Sequence, residues 1–177
     1  MSLINYVTKI QFGYDSLQQL ASEAERAGIT RPLIVTDVGV RNAGIVDKVI
    51  AALGATRTPT IFDATPPNPN EHAVRQAVAQ YHLGECNGSI AVGGGSSIDL
   101  AKGVAVCATH DGSLQSFAVI EGGLDRITSA TAPLIAIPTT AGTGSEVGRG
   151  AILILDDGRT VGVISPYVVP RVAICDP

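Results

Sequence analysis

Short apolar runs alternate with amphipathic stretches along the chain, and the alternation predicts strands and helices in turn. Lys9 to Phe12 reads as a short extended segment. Asp15 then stands where a helix N-cap would, with Gln18 three residues on. Leu17, Leu20, Ala21 and Ala24 recur at helical spacing until Gly28 ends the run. Leu33-Ile34-Val35-Thr36, preceded by Pro32 and stopped by Asp37, has the unbroken apolar pattern of a strand buried on both faces. A second helix is predicted from about Ile45 to Leu53, and Thr60 to Asp63 is the next strand. The prolines of Thr65-Pro66-Pro67-Asn68-Pro69 fix φ and forbid regular structure.

Asn70 caps a predicted helix that carries Val74, Ala77, Val78 and Tyr81 on one face and ends at Gly84. The strand Ser89-Ile90-Ala91-Val92 then runs into Gly93-Gly94-Gly95-Ser96-Ser97, which opens a helix reaching about Thr109. From His110 to Ala132 the pattern is weak and reads as loop with one short helix. Pro133 to Pro138 is another buried strand, followed directly by the small, hydroxyl-rich loop Thr139-Thr140-Ala141-Gly142-Thr143-Gly144-Ser145-Glu146. Asp156-Asp157-Gly158 between two apolar runs signals a hairpin, and Val172 to Cys175 is a last strand. Strands separated by helices imply an α/β fold with a mostly parallel, doubly wound sheet and an added β-hairpin. Ligands of such sheets sit outside the carboxyl ends of the strands. Asp37, Asn68, Gly93 to Ser97 and Thr139 to Ser145 all fall at those ends.

Composition narrows the class. A chain of 177 residues can hide about 70% of its unfolded surface, enough for a real core. It is 45% hydrophobic and 16% charged, with much of the apolar content in Ala, Val and Ile, which suits parallel strands under small-residue helices. The net charge of −4 without a basic cluster argues against nucleic acid or an anionic membrane as partner. No apolar run is long enough to span a bilayer, and Met1 to Tyr6 lacks the basic flank and apolar core of a signal peptide, so the expected location is cytoplasmic. Cys86, Cys107 and Cys175 are odd in number and widely spaced, as small buried residues of a reducing compartment would be.

The glycine turn carries the chemistry. Glycines at a strand-to-helix junction let the backbone turn sharply and approach a ligand, while the amides opening the helix lack partners and the dipole is positive there. That combination takes phosphate, although a tight packing turn would use the same residues. Ser96 and Asp99 also have the spacing of a capping box, and Lys102, one turn in, reads as a solvated or sheet-edge residue. The common G-x-G-x-x-G dinucleotide fingerprint is absent: Ile98 and Val147 stand where its third glycine would. An acid on the ribose should follow the glycines, yet Asp37, the one acid ending a buried strand, precedes them. Its carboxylate either accepts from both ribose hydroxyls and repels a 2′-phosphate, or caps the next turn. Asn68 either bonds a ligand or forms an Asx-turn. Thr139, Thr140, Thr143 and Ser145 offer hydroxyls and amides without bulk. His72 and His82 share a helix at a spacing that cannot hold a metal jointly, and His110 stands in a loop, so all read as structural. No nucleophilic triad or carboxylate pair stands out, and no catalytic residue is assigned.

The strings Gly93 to Lys102 and Ile137-Pro138-Thr139-Thr140-Ala141-Gly142-Thr143-Gly144-Ser145-Glu146-Val147 resemble the iron-containing (group III) alcohol dehydrogenases. The closing Ile164-Ser165-Pro166, Pro170 and Asp176-Pro177 resemble the end of that family's N-terminal domain, so the likeness covers essentially the whole chain. It implies a Rossmann-like, dehydroquinate synthase-like domain binding NAD, with NADP disfavoured by Asp37. Residues 1–177 would then be one dinucleotide-binding domain. By resemblance Asp37 holds the adenosine ribose, Gly94, Gly95 and Ser96 the pyrophosphate, and Thr139, Thr140 and Thr143 line the adenine and pyrophosphate region. Asn68 matches an asparagine near the cofactor. In the family a separate helical domain supplies one Asp and three His to a catalytic Fe²⁺ or Zn²⁺ that polarises the alcohol oxygen. That domain is expected after Pro177, so this chain would be a fragment without turnover of its own. The implied substrate is a small alcohol or aldehyde, and the implied assembly a homodimer or higher homo-oligomer. One departure stands out: Thr160, beside Arg159, occupies the place of a family lysine near the cofactor. Glycerol dehydrogenase-like or dehydroquinate synthase-like enzymes are the alternatives, and the Thr139 to Glu146 loop argues against both. A non-catalytic nucleotide-binding module is the remaining alternative.

Overall fold

The computed structural model describes residues 8–177; the reading of Met1 to Tyr6 lies outside them. In chain order the elements are β1 (Lys9–Phe12), a 3-10 turn (Ser16–Gln19) running into α1 (Leu20–Arg26), β2 (Pro32–Val35), α2 (Val38–Asn42), α3 (Ile45–Leu53), β3 (Thr60–Phe62), α4 (Glu71–Leu83), β4 (Gly88–Gly93) and α5 (Gly95–Cys107). Three 3-10 turns cover Leu114–Phe117, Val119–Glu121 and Gly123–Arg126. After them come β5 (Leu134–Pro138), the hairpin β6 (Gly150–Ile154) and β7 (Thr160–Ile164), a 3-10 turn (Pro166–Val168) and β8 (Val172–Cys175). Six strands form one sheet in the order β1-β8-β5-β4-β2-β3, every pair parallel, and the hairpin stands apart as an antiparallel pair. The doubly wound sheet with its added hairpin is therefore the expected architecture.

The strands are buried on both faces because the chain supplies apolar residues at every position. Leu33 and Val35 of β2, Ala91 of β4 and Leu134 and Ala136 of β5 pack into a layer with α4, α5 and the hairpin. Their neighbours Ile34, Ile90, Val92, Ile135 and Ile137 face the opposite layer, where Leu20 and Ala24 of α1 and Val46, Val49 and Leu53 of α3 cover them. Each strand thus divides its side chains by the two-residue period. Helix α5 is buried from Ser97 through Val106, wedged between the sheet, α4 and the hairpin. A Cβ on Gly103 would lie 3.0 Å from both Leu153 and Val74, so glycine lets all three elements meet. Among the described residues no helix is long and apolar enough to cross a membrane.

Several local expectations are corrected. Asp15 does not cap: its backbone is left-handed at φ 63°, and its side chain caps nothing. The cap comes from the other end of the chain, where the Asp176 carboxylate accepts from the Asp15 and Leu17 amides at 3.2 and 3.0 Å. A helix not predicted, α2, follows Asp37. The weak stretch after His110 holds three 3-10 turns rather than one short helix, closed by Gly123, whose Cβ would fall 2.2 Å from the Phe117 backbone.

Candidate functional site

Strand β2 pairs with β3 on one side and β4 on the other, so the winding reverses between β2 and β4. At such a switch point the loops after the two strands diverge and leave a crevice at their carboxyl ends. Asp37 follows β2 and the glycine turn follows β4, and both face the same cavity of about 570 Å³. Gly94, Ser96, Ser97, Thr139 and Thr140 line it with Asp37, and Asp63 and the Thr65 to Pro67 segment form the far wall.

The turn is built for close approach. Gly93 sits at φ 151°, and a Cβ there would lie 2.5 Å from Ser97 Oγ and 3.5 Å from Asp37 Oδ2. No side chain caps α5; its first internal bond runs from the Ile98 amide to the Gly94 carbonyl at 3.2 Å. The amides of the first turn have no partner within the helix. Ser97 is buried, and its hydroxyl has no hydrogen-bond partner although it lines the cavity. A glycine cradle, free amides and an unpaired buried hydroxyl fit an anionic phosphate group.

Asp37 divides its two oxygens. Oδ1 accepts from the Val40 amide at 3.0 Å and caps α2, so the capping alternative is real. Oδ2 is on the side of the glycine turn and remains able to accept from a ligand. The hydroxyl loop is held against that turn by the Thr139 amide, which donates to the Gly93 carbonyl at 3.0 Å. Thr140 Oγ1 would be 3.4 Å from a Cβ on Gly94, and Thr143 3.2 Å from one on Gly95.

Three of the sequence-predicted residues, Gly95, Thr143 and Asn68, are outside the cavity lining. Gly95 is covered by Thr143, whose hydroxyl accepts from the Ser145 amide at 3.3 Å. Asn68 is exposed and outside the cavity lining. Ser96 forms no capping box with Asp99: its hydroxyl donates to the Pro67 carbonyl at 2.6 Å and ties the proline loop to α5. Arg159 is held by Asp157 and Glu121 at the hairpin, away from the cavity.

Lys102 is the largest correction. Far from being solvated, it is fully buried, and its Nζ donates to the carbonyls of Gly148 and Gly150 at 3.0 and 2.7 Å. One turn earlier, Asp99 Oδ2 accepts from the Ile152 amide at 2.9 Å, and Oδ1 lies 3.8 Å from Lys102 Nζ. Together they staple the segment leading from the hydroxyl loop into β6 onto α5. Burial pulls the Lys102 ammonium down to about 8 against the opposing charges of Asp99 and Glu146. Burial also raises the Asp99 carboxyl, against the Ile152 amide and the Lys102 charge. A charged pair three apart in a helix with no polar face was the available signal.

His72 and His82 are exposed on α4, while His110 bonds Thr109, Thr128 and the Val106 carbonyl and closes the end of α5. Among the described residues no three His, Cys, Asp or Glu side chains assemble as a metal site, so no metal is fitted to them.

A protein-family model described as iron-containing alcohol dehydrogenase matches residues 7–177. The chain is 55% identical over its whole length to a 4-hydroxybutyrate dehydrogenase of Cupriavidus necator, of which it covers 46%. A solved 1,3-propanediol oxidoreductase superposes with a TM-score of 0.90 at 33% identity, over 99% of this chain and 46% of that one. A sulfoacetaldehyde reductase from Bifidobacterium kashiwanohense in complex with NAD+ superposes with a TM-score of 0.88 at 29% identity, over 100% of this chain and 47% of that one. The chain spans about half the length of the curated relatives it matches.

Proposed function

The chain belongs to the iron-containing alcohol dehydrogenase family, and from that premise we propose that it is the NAD-binding half of a metal-dependent dehydrogenase. The observation that carries the reading is the meeting of Asp37, the glycine turn and the Thr139–Thr140 edge around one cavity at the switch point. Asp37 Oδ2 accepts from the adenosine ribose hydroxyls and disfavours a 2′-phosphate. The free amides of Ser96 and Ser97, with the Ser97 hydroxyl, hold the pyrophosphate. Thr139 and Thr140 close its outer side, and Gly95 with Thr143 keeps that side in place. Bound NAD supplies the hydride acceptor.

The metal that would polarise the alcohol finds no ligand set among the described residues. The substrate is a small primary alcohol or the matching aldehyde, with 4-hydroxybutyrate the first to test given the similarity to the Cupriavidus protein. The protein works in the cytoplasm as a homodimer or larger assembly. The test is calorimetric titration of the chain with NAD+ and NADP+. NAD+ should bind in preference, and Asp37→Gly should bring the two affinities together; an unchanged preference would sink the assignment of Asp37.

A further inference from the structure

The cavity that takes the nucleotide is lined by two carboxylates, Asp37 and Asp63, and by no lysine or arginine. They end neighbouring parallel strands: Val35 of β2 is in register with Phe62 of β3, so the residues after each emerge side by side. An antiparallel bridge between Asp37 and Ala64 and the bond from the Thr36 amide to the Phe62 carbonyl at 2.9 Å fix that closeness.

Just outside the lining is Arg41. Its amide donates to the Asp37 carbonyl at 3.0 Å, which places it one helical turn after Asp37 on the same face. Its guanidinium meets the cavity at a carboxylate of the wall. It is paired with Asp63, both side chains being partly exposed. An arginine at this distance from a ribose-binding acid is the group that would otherwise accommodate a 2′-phosphate, with its fork of donors matched to phosphate oxygens.

We propose that Asp63 is a second determinant of cofactor choice, which engages the Arg41 guanidinium and so withholds it from a 2′-phosphate. This rests on the reading of the cavity as an NAD site. Asp37 repels the 2′-phosphate directly, whereas Asp63 withholds a nearby cation that could offset that repulsion. Loss of Asp37 alone therefore leaves Arg41 engaged. An exposed ion pair contributes little to folding, so the pair can be opened without unfolding the chain.

The test titrates the chain with NAD+ and NADP+ as probes and follows the ratio of their dissociation constants. Asp63→Asn should shift the ratio toward NADP+ by about fivefold, the scale of one partly exposed charge-assisted contact. Adding Arg41→Met to Asp63→Asn should abolish most of that shift, because the freed guanidinium is its source. An unchanged ratio in Asp63→Asn, or an equal shift with and without Arg41, would overturn the proposal while leaving the nucleotide site standing. Failure of the unsubstituted chain to bind NAD+ would instead overturn the nucleotide reading, and this proposal with it.

Discussion

Replacing Lys102 with Met tests whether the buried ammonium staples the hairpin segment to α5. The substitution keeps the stem in its apolar channel and removes the donors to the Gly148 and Gly150 carbonyls. It also leaves Asp99 without its cation at 3.8 Å. Breaking one side of a buried pair costs about 3–5 kcal/mol, and relief of the ammonium's own desolvation returns part of this, so a net loss near 2 kcal/mol is expected at pH 7.

The pH dependence of that loss is the sharper test. In the folded chain Lys102 titrates at about 8, below the ordinary 10.5. The unfolded chain therefore binds the proton that the folded chain has given up, and stability from this group rises with pH between those values. The amine left behind keeps two N–H donors for the same carbonyls. Over pH 7 to 10 the wild type should gain about 2 kcal/mol relative to Lys102→Met. Absolute stability will not show it cleanly. Burial raises the Tyr81 hydroxyl to about 12 and the Cys107 thiol to about 12, and both shifts lower stability in the same range. Both proteins share those groups, so the difference between their urea unfolding free energies isolates Lys102. A difference that stays constant or narrows with rising pH would refute the account of Lys102 as a desolvated cation.

Gly93→Ala should cost about 2 kcal/mol or more in urea unfolding and weaken NAD+ binding at least tenfold, because the new Cβ meets Ser97 and φ is unsuited to an L residue. Gly158→Ala is its control: φ is 86° but nothing lies within 4 Å, so a loss of about 1 kcal/mol with NAD+ binding intact is expected. Asn70→Ala removes the side chain that accepts from the Ala73 amide at 2.9 Å, and should destabilise the fold by about 1 kcal/mol as read by thermal melting.

The parts legible in the sequence were those decided by neighbours. Strand positions followed from continuous apolar runs such as Leu33 to Val35, and α4 from helical spacing between Asn70 and Gly84. The Asp156–Gly158 turn is the same kind of signal, and Gly158 does take a left-handed φ of 86°. What escaped was decided by contacts distant along the chain. Helix α2 contains one glycine and two β-branched valines, poor helix formers, and depends on the Asp37 cap and packing on α3. The first helix is capped by Asp176, which no local window can pair with Leu17. The 3-10 turns around Phe117 depend on burial of Leu114 and Phe117 in the layer against the sheet.

The burial of Lys102 and the gathering of Asp37, Gly94, Ser96 and Thr139 around one cavity have one cause. Burying α5 on all sides removes the polar face on which a lysine would ordinarily sit, so Lys102 finds its acceptors in the backbone of Gly148 and Gly150. The same burial fixes the helix and holds its uncapped N-terminus beside the cavity that Asp37 also lines. Ser97, one turn from the glycine cradle, is enclosed by the same packing with its hydroxyl unpaired. A rigid helix start is what a phosphate site needs, since amides already held in place lose little freedom when an anion arrives. Asp99 and Lys102 are thus structural groups whose effect reaches the site through the position of α5. Loosening them should weaken NAD+ binding in proportion to the stability lost around the hairpin, whereas Asp63→Asn should alter cofactor choice at nearly constant stability.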